Sequence, residues 1–188
     1  MSQNQSGELR LDQYLKHFDY TVTHSRQVPG APDAALFELV RHLDFSSSWI
    51  IRTLFFLRGL GTKNLNLDAM VSGSEFFLLE ELPSREVVIG GMAGPQLKPV
   101  RIRSAPQFLE FADHNGIKIA WNFLLTPGEA NTTIVSTETR VACLGPKMKR
   151  RFSIYWFFVR PFSGLVRLEM LRILNKQARA MRAATQAL

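Results

Sequence analysis

A single cysteine, Cys143, stands in the whole sequence, so no disulfide can form within the chain. The four histidines, His17, His24, His42 and His114, fall at separations that match no metal-ligand pattern, and Cys143 has no cysteine partner, so no dedicated zinc site is expected. The run Gly90-Gly91-Met92-Ala93-Gly94 lacks the lysine of a phosphate loop and no helix follows it, so it reads as a strand end with bends. A nucleophile elbow is missing too. No cofactor is expected. Long apolar runs are also scarce. The uncharged aromatic run at 152–159 is far shorter than the roughly 20 residues that span a bilayer. Residues 1–13 have no apolar stretch of the secretory kind, and a cytoplasmic soluble protein is the expectation.

Acid is scarce in one place only. Residues 145–188 hold ten Lys and Arg against one acid, Glu169, which gives that segment about +9 by formal counting, while 1–144 carry about −2. The basic charge of the chain therefore belongs to its C-terminal segment. No nucleic-acid motif accompanies it, so a nucleic-acid partner is not expected. Two uses remain open for the charge: a solvated helix face, or a weak contact with an anionic membrane or an acidic partner.

What is abundant is phenylalanine, with 14 copies. They fit either a core of large rings or an aromatic-lined cavity. The periodicity is clear in the rest of the chain. Residues 1–17 read as a polar N-terminal extension with a short helical turn from 11 to 18. Alternation and β-branched residues predict a strand over 18–28. Helices follow at about 32–43, opened by Pro32 in its first turn, and at 47–59, capped by a serine of 46–48 and ended by Gly59 and Gly61. Strands are expected at 75–82, 85–92, 100–104 and 117–126, then at 132–143, with a further candidate at 108–112. Turn signals at Pro83-Ser84 and Pro127-Gly128 make neighbouring strands antiparallel. Lys118, Ala120 and Asn122 then share a wet face with Ser136, Glu138 and Arg140, and the hairpin leaves Glu80, Glu81 and Glu86 exposed. A long helix over 147–182 closes the chain. Its stripe Ile154, Phe158, Pro161, Leu165, Leu168 and Leu171 is expected to cover the sheet, with a bend at Pro161.

A strand, two short helices, a run of antiparallel strands and one long helix make an α+β domain, with a curved antiparallel sheet wrapped around the C-terminal helix in the helix-grip arrangement. The chain resembles the START-like (SRPBCC, polyketide cyclase) superfamily. The resemblance lies in Ala31-Pro32, Asp44, Leu57-Arg58-Gly59-Leu60, Glu86-Val87-Val88-Ile89-Gly90 and Trp121-Asn122-Phe123. It is tightest in Ser136-Thr137-Glu138-Thr139-Arg140-Val141, in Tyr155-Trp156, and from Arg160-Pro161-Phe162 through Arg167. It covers about 18–180 and looks most like an uncharacterised bacterial branch; a single START-like domain over 18–184 follows from it. Members of the superfamily hold apolar ligands between helix and sheet. The resemblance therefore implies binding or transport of a hydrophobic small molecule, lipid-like, aromatic or polyketide-like. The implied pocket is walled by Trp121, Phe123, Ile102, Tyr155 and Phe158, with polar contacts from Thr137, Thr139 or His24. Each of these residues also suits an ordinary core or strand. Two alternatives stay open: a cyclase- or hydrolase-type enzyme in the same cavity, for which no catalytic position carries over, and a peripheral protein that meets anionic membrane through its basic helix.

Overall fold

A computed structural model of the chain describes residues 9–57, 65–72 and 76–186. In chain order it holds α1 (Arg10–Tyr14), β1 (Tyr20–Pro29), α2 (Ala34–Arg41), α3 (Trp49–Leu57) and α4 (Leu67–Ser72), then β2 (Phe76–Leu82), β3 (Glu86–Ala93) and β4 (Pro99–Val100). After these come α5 (Ala105–Glu110), β5 (Ile117–Pro127), β6 (Thr132–Cys143) and the 41-residue α6 (Pro146–Gln186). The strands form one curved, open, antiparallel sheet in the order β1-β6-β5-β3-β2, with β4 paired to β3. This is the expected α+β, helix-grip architecture. Among the described residues β1 is an edge strand, paired only with β6.

Cross-strand partners share a face of a pleated sheet. The row Val22, Thr139, Trp121 and Ile89 is set by the β1–β6, β6–β5 and β5–β3 registers, and His24 lies opposite Thr137 in the same way. This face carries the main core. Val87, Ile89, Trp121, Phe123, Leu125 and Val135 pack there against Leu36, Phe37 and Val40 of α2 and against Met170, Leu171 and Leu174 of α6.

The local starts of the helices follow from their caps. α2 begins at Ala34, where the Asp33 carboxylate accepts the Leu36 N–H at 2.8 Å, rather than at Pro32. Ser48 caps α3 by accepting the Ile51 N–H at 3.3 Å. Gly59 and Gly61, expected to end that helix, lie outside the described residues. Residues 105–110 are helical, which corrects the candidate strand at 108–112. Ser104 accepts the Gln107 N–H there and Pro106 occupies the first turn, a start signal that the short apolar pair Phe108-Leu109 obscured. The strand expected over 100–104 shrinks to Pro99–Val100, and α4 had no counterpart in the sequence reading.

The expected wet face is also corrected, because α1 and α5 cover it. Leu11 and Leu15 join Leu79, Val88, Met92, Ile102, Phe108 and Ala120 in a second apolar cluster on that outer side. Lys118, Asn122 and Arg140 are buried there, and so is Glu86 at 1% exposure. They are tolerated because each has partners. The Glu86 carboxylate accepts from Asn122 Nδ2 at 2.7 Å and from the backbone N–H groups of Arg10 and Leu11. Arg140 donates to Glu138 and Asp12, and Lys118 donates to the Leu109 carbonyl at 2.9 Å. Residues from Arg10 onward thus dock on the sheet.

The apolar stripe of α6 is turned the other way from expectation. Ile154, Phe158, Leu165 and Leu168 are 64%, 64%, 49% and 47% exposed, and only Leu171 of the large stripe residues is buried. The helix instead buries Met148, Phe152, Met170, Leu171, Leu174 and Ala178. The reason lies in the sheet. Midway along the helix the sheet presents His24, Thr137 and Thr139, so the facing positions are taken by Gly164 and Arg167. Large apolar side chains gain nothing by facing those polar groups. α6 is continuous through Pro161.

Candidate functional site

A groove lies between β1 and the middle of α6. β1 is the last strand of the sheet among the described residues, and α6 runs alongside it. Gly164 faces His24: a Cβ there would lie 3.5 Å from its Cε1 and Nε2. Around this point is an open cavity of ≈ 840 Å³. β1 contributes Thr21, Val22, Thr23 and His24, so both faces of the strand take part and the groove wraps around its edge. α6 contributes Ser153, Trp156, Phe157, Arg160, Pro161, Gly164, Leu165 and Leu168. The walls are thus apolar and aromatic, with a few hydroxyls, one imidazole and one guanidinium. That mix, in a cavity of this size, suits a hydrophobic molecule with a polar end.

The polar floor behind the groove is unusual. The Arg167 guanidinium carbon sits 4.1 Å from the centre of the Trp121 ring, and its Nη1 donates to Thr137 Oγ1 at 3.2 Å. Among the described residues no carboxylate forms an ion pair with Arg167. Burial pushes its pKa down to about 9, so it remains charged at neutral pH. His24 is pushed below the usual imidazole value, first by burial and then by the Arg167 charge. It is therefore neutral near pH 7, with one donor and one acceptor nitrogen. Among the described residues, His24 Nδ1 and Thr139 Oγ1 are enclosed with no hydrogen-bond partner. Three polar groups on the helix face thus keep unused hydrogen-bonding or charge capacity, which is the arrangement a ligand's polar end would complete.

The eight candidate residues separate into groups. His24 lines the groove, and Thr137, Thr139 and Trp121 meet around Arg167 on the same sheet face. Trp121 and Phe123 are core: they are 2% and 0% exposed and stack edge-on at 5.7 Å. Tyr155 packs on Phe152 at 5.4 Å, in a cluster with Tyr20 and Trp156 toward the start of α6. Phe158 is largely exposed and packs against Phe157. Ile102 lies on the opposite side of the sheet with Phe108. The sequence offers the aromatic cluster Tyr155, Trp156, Phe157 and Phe158 as either a pocket wall or core, and Trp156 and Phe157 line the groove; Arg167, Arg160 and Gly164 were missed as site residues. One signal could have found Arg167. Phe152, Trp156, Ser163, Arg167, Leu171, Leu174 and Ala178 recur at spacings of three, four and seven, which places Arg167 on the inward seam.

Other reactive groups are disposed away from chemistry. Burial, and then the Asp19 charge, pushes the Cys143 thiol up to about 11, so it stays protonated. Glu169, the one acid of α6, is spent on structure: it accepts from Ser48 Oγ at 3.0 Å and from two nitrogens of Arg172. Among the described residues no group of three His, Cys, Asp or Glu could hold a metal ion, and no helix is long and apolar enough to cross a membrane.

No family model matches the chain, and no curated protein does. Several solved structures are similar at low identity. A hypothetical protein of Helicobacter pylori is 10% identical with a TM-score of 0.44, over 95% of this chain and 99% of that one. A protein of Mesorhizobium loti is 14% identical with a TM-score of 0.36, over 84% and 98%. Norcoclaurine synthase of Thalictrum flavum is 10% identical with a TM-score of 0.35, over 87% and 96%.

Proposed function

We propose that this protein binds a hydrophobic small molecule in the groove between β1 and α6. The observation that carries the reading is the groove itself: ≈ 840 Å³, walled by Trp156, Phe157, Leu165 and Leu168, with His24 in its lining beside Gly164. An apolar body of lipid-like, aromatic or polyketide-like chemistry would displace water from the aromatic wall, each buried large side chain contributing about 1.5–3 kcal/mol. Its polar end would meet His24, which can donate or accept, with the Arg167 charge behind it. The candidate residues Trp121, Phe123, Thr137 and Thr139 support the site from beneath, and Trp121 does so by holding Arg167.

Native mass spectrometry of gently purified protein, combined with titration of an apolar fluorescent probe, tests this. The wild type is expected to carry or take up a ligand. Gly164→Leu, which fills the space beside His24, is expected to weaken uptake at least tenfold while the exposed stripe of α6 is untouched. Equal probe binding by the filled variant, or no binding by the wild type, would overturn the reading.

A further inference from the structure

Ile154, Phe157, Phe158, Pro161, Phe162, Leu165 and Leu168 are all exposed, and their spacing of three and four places them on one side of α6. At 1.5 Å per residue this apolar stripe is about 21 Å long. Contiguous exposed apolar surface of this kind marks a contact site. The same side of the helix, followed at 100° per residue, carries Lys147, Arg150 and Arg151 before the stripe and Arg172, Lys176 and Arg179 after it. All six are exposed. The only acid in the segment, Glu169, is buried and held by Ser48 and Arg172. Next to Ser48, Trp49 is 74% exposed.

We infer that this face of α6 docks on an anionic lipid bilayer, with the apolar stripe in the headgroup–acyl boundary and Lys147, Arg150, Arg151, Lys176 and Arg179 against lipid phosphates, Arg172 being paired with Glu169. Charge decides among the occupants. A second copy of the chain would bring two wholly basic faces together. An acidic protein would match the charge but would need a groove shaped to a convex row of Phe, Ile, Leu and Pro. A fluid bilayer needs no such shape, and long Lys and Arg side chains reach its phosphates while their stems stay in apolar surroundings. Phe157, Pro161, Leu165 and Leu168 belong to both the stripe and the groove wall, so the groove opens toward the docked surface. The inference does not depend on what fills the groove.

Co-sedimentation of the full chain with large vesicles tests it, comparing phosphatidylcholine alone with equimolar phosphatidylglycerol and phosphatidylcholine. Pelleting with the anionic vesicles at low salt and its decline at high salt are expected. Arg150→Gln with Arg151→Gln is expected to lower the affinity about fivefold per residue. The triple variant Ile154→Ser, Phe158→Ser, Phe162→Ser avoids the groove lining and is expected to abolish pelleting while its circular dichroism and probe uptake stay unchanged. No pelleting at low salt would overturn the inference, and so would equal pelleting by the triple variant. Dimers in light scattering that the triple variant dissolves, without vesicle binding, would assign the face to a second copy. Retention on polyglutamate that needs the same three apolar residues, again without vesicle binding, would assign it to an acidic protein.

Discussion

The guanidinium carbon of Arg167 sits 4.1 Å from the centre of the Trp121 ring, and its hydrogen bond goes to a threonine rather than to a carboxylate. A cation held this way costs desolvation that the ring only partly offsets, since a desolvated cation–π contact contributes about 2 kcal/mol. Arg167→Met keeps the stem and removes the charge. It is expected to leave the urea unfolding free energy within about 1 kcal/mol of wild type or to raise it, because unpaired interior charge is replaced by packing. It is also expected to weaken a carboxylated apolar probe more than a neutral one. A stability loss above about 2 kcal/mol would make the Arg167–Trp121 contact structural instead.

His24 and His42 are expected to titrate on opposite sides of the ordinary imidazole value of about 6.5. His24 is lowered by burial and by Arg167, and His42 is raised by its hydrogen bond to Asp68 and by that carboxylate's charge. The linked stability effects have opposite signs. Between the lowered His24 value and 6.5 the unfolded chain holds more proton, so His24 makes stability rise with pH there. His42 stabilises below its unfolded value, and that contribution fades as pH rises through its raised folded value. Unfolding curves would blur the two, so NMR titration of the ring protons is the measurement. In Arg167→Met the His24 midpoint is expected to move up but to stay below 6.5, since burial remains.

Glu86→Ala is expected to destabilise by about 3 kcal/mol, since it removes charge-assisted hydrogen bonds and leaves the Asn122 amide and two backbone N–H groups without an acceptor. Limited proteolysis is expected to open the chain near Arg10 before the sheet unfolds. Unchanged urea midpoints and unchanged cleavage would show that α1 docks through Leu11 and Leu15 alone.

Gly30→Ala is expected to cost about 1–2 kcal/mol. Its φ of +93° suits glycine, and an added Cβ would meet the Arg182 guanidinium, which itself donates to Asp33 at 2.6 Å and to the Ala31 carbonyl. Thermal unfolding of Gly30→Ala alone and combined with Arg182→Ala separates the two causes. If backbone strain dominates, the loss persists in the double variant.

Strand periodicity carried most of the architecture. Ile117 to Leu125 alternates so regularly that β5 was legible residue by residue, and Thr132 to Cys143 nearly as well. The outer face was not legible, because Lys118, Asn122 and Arg140 look solvent-seeking in a single strand. Only the arrival of α1 and α5, with Asp12 and the Leu109 carbonyl, supplies the partners that let them be buried. The groove was hidden for a related reason. The large apolar residues of α6 suggested the inward side, whereas the sheet opposite offers His24 and two threonines, and only the register of β1 on β6 reveals that.

The pairing of Tyr20 with Val141 joins the first strand of the sheet to the last. On a ribosome, β1 must therefore wait until β6 has emerged before it finds its neighbour, and α6 follows β6. Closure of loops this long slows folding and leaves an unpaired, β-prone segment exposed during synthesis. Chains stopped before residue 132 would hold β1 without the strand it pairs with, apart from the β2-β3-β5 sheet already made.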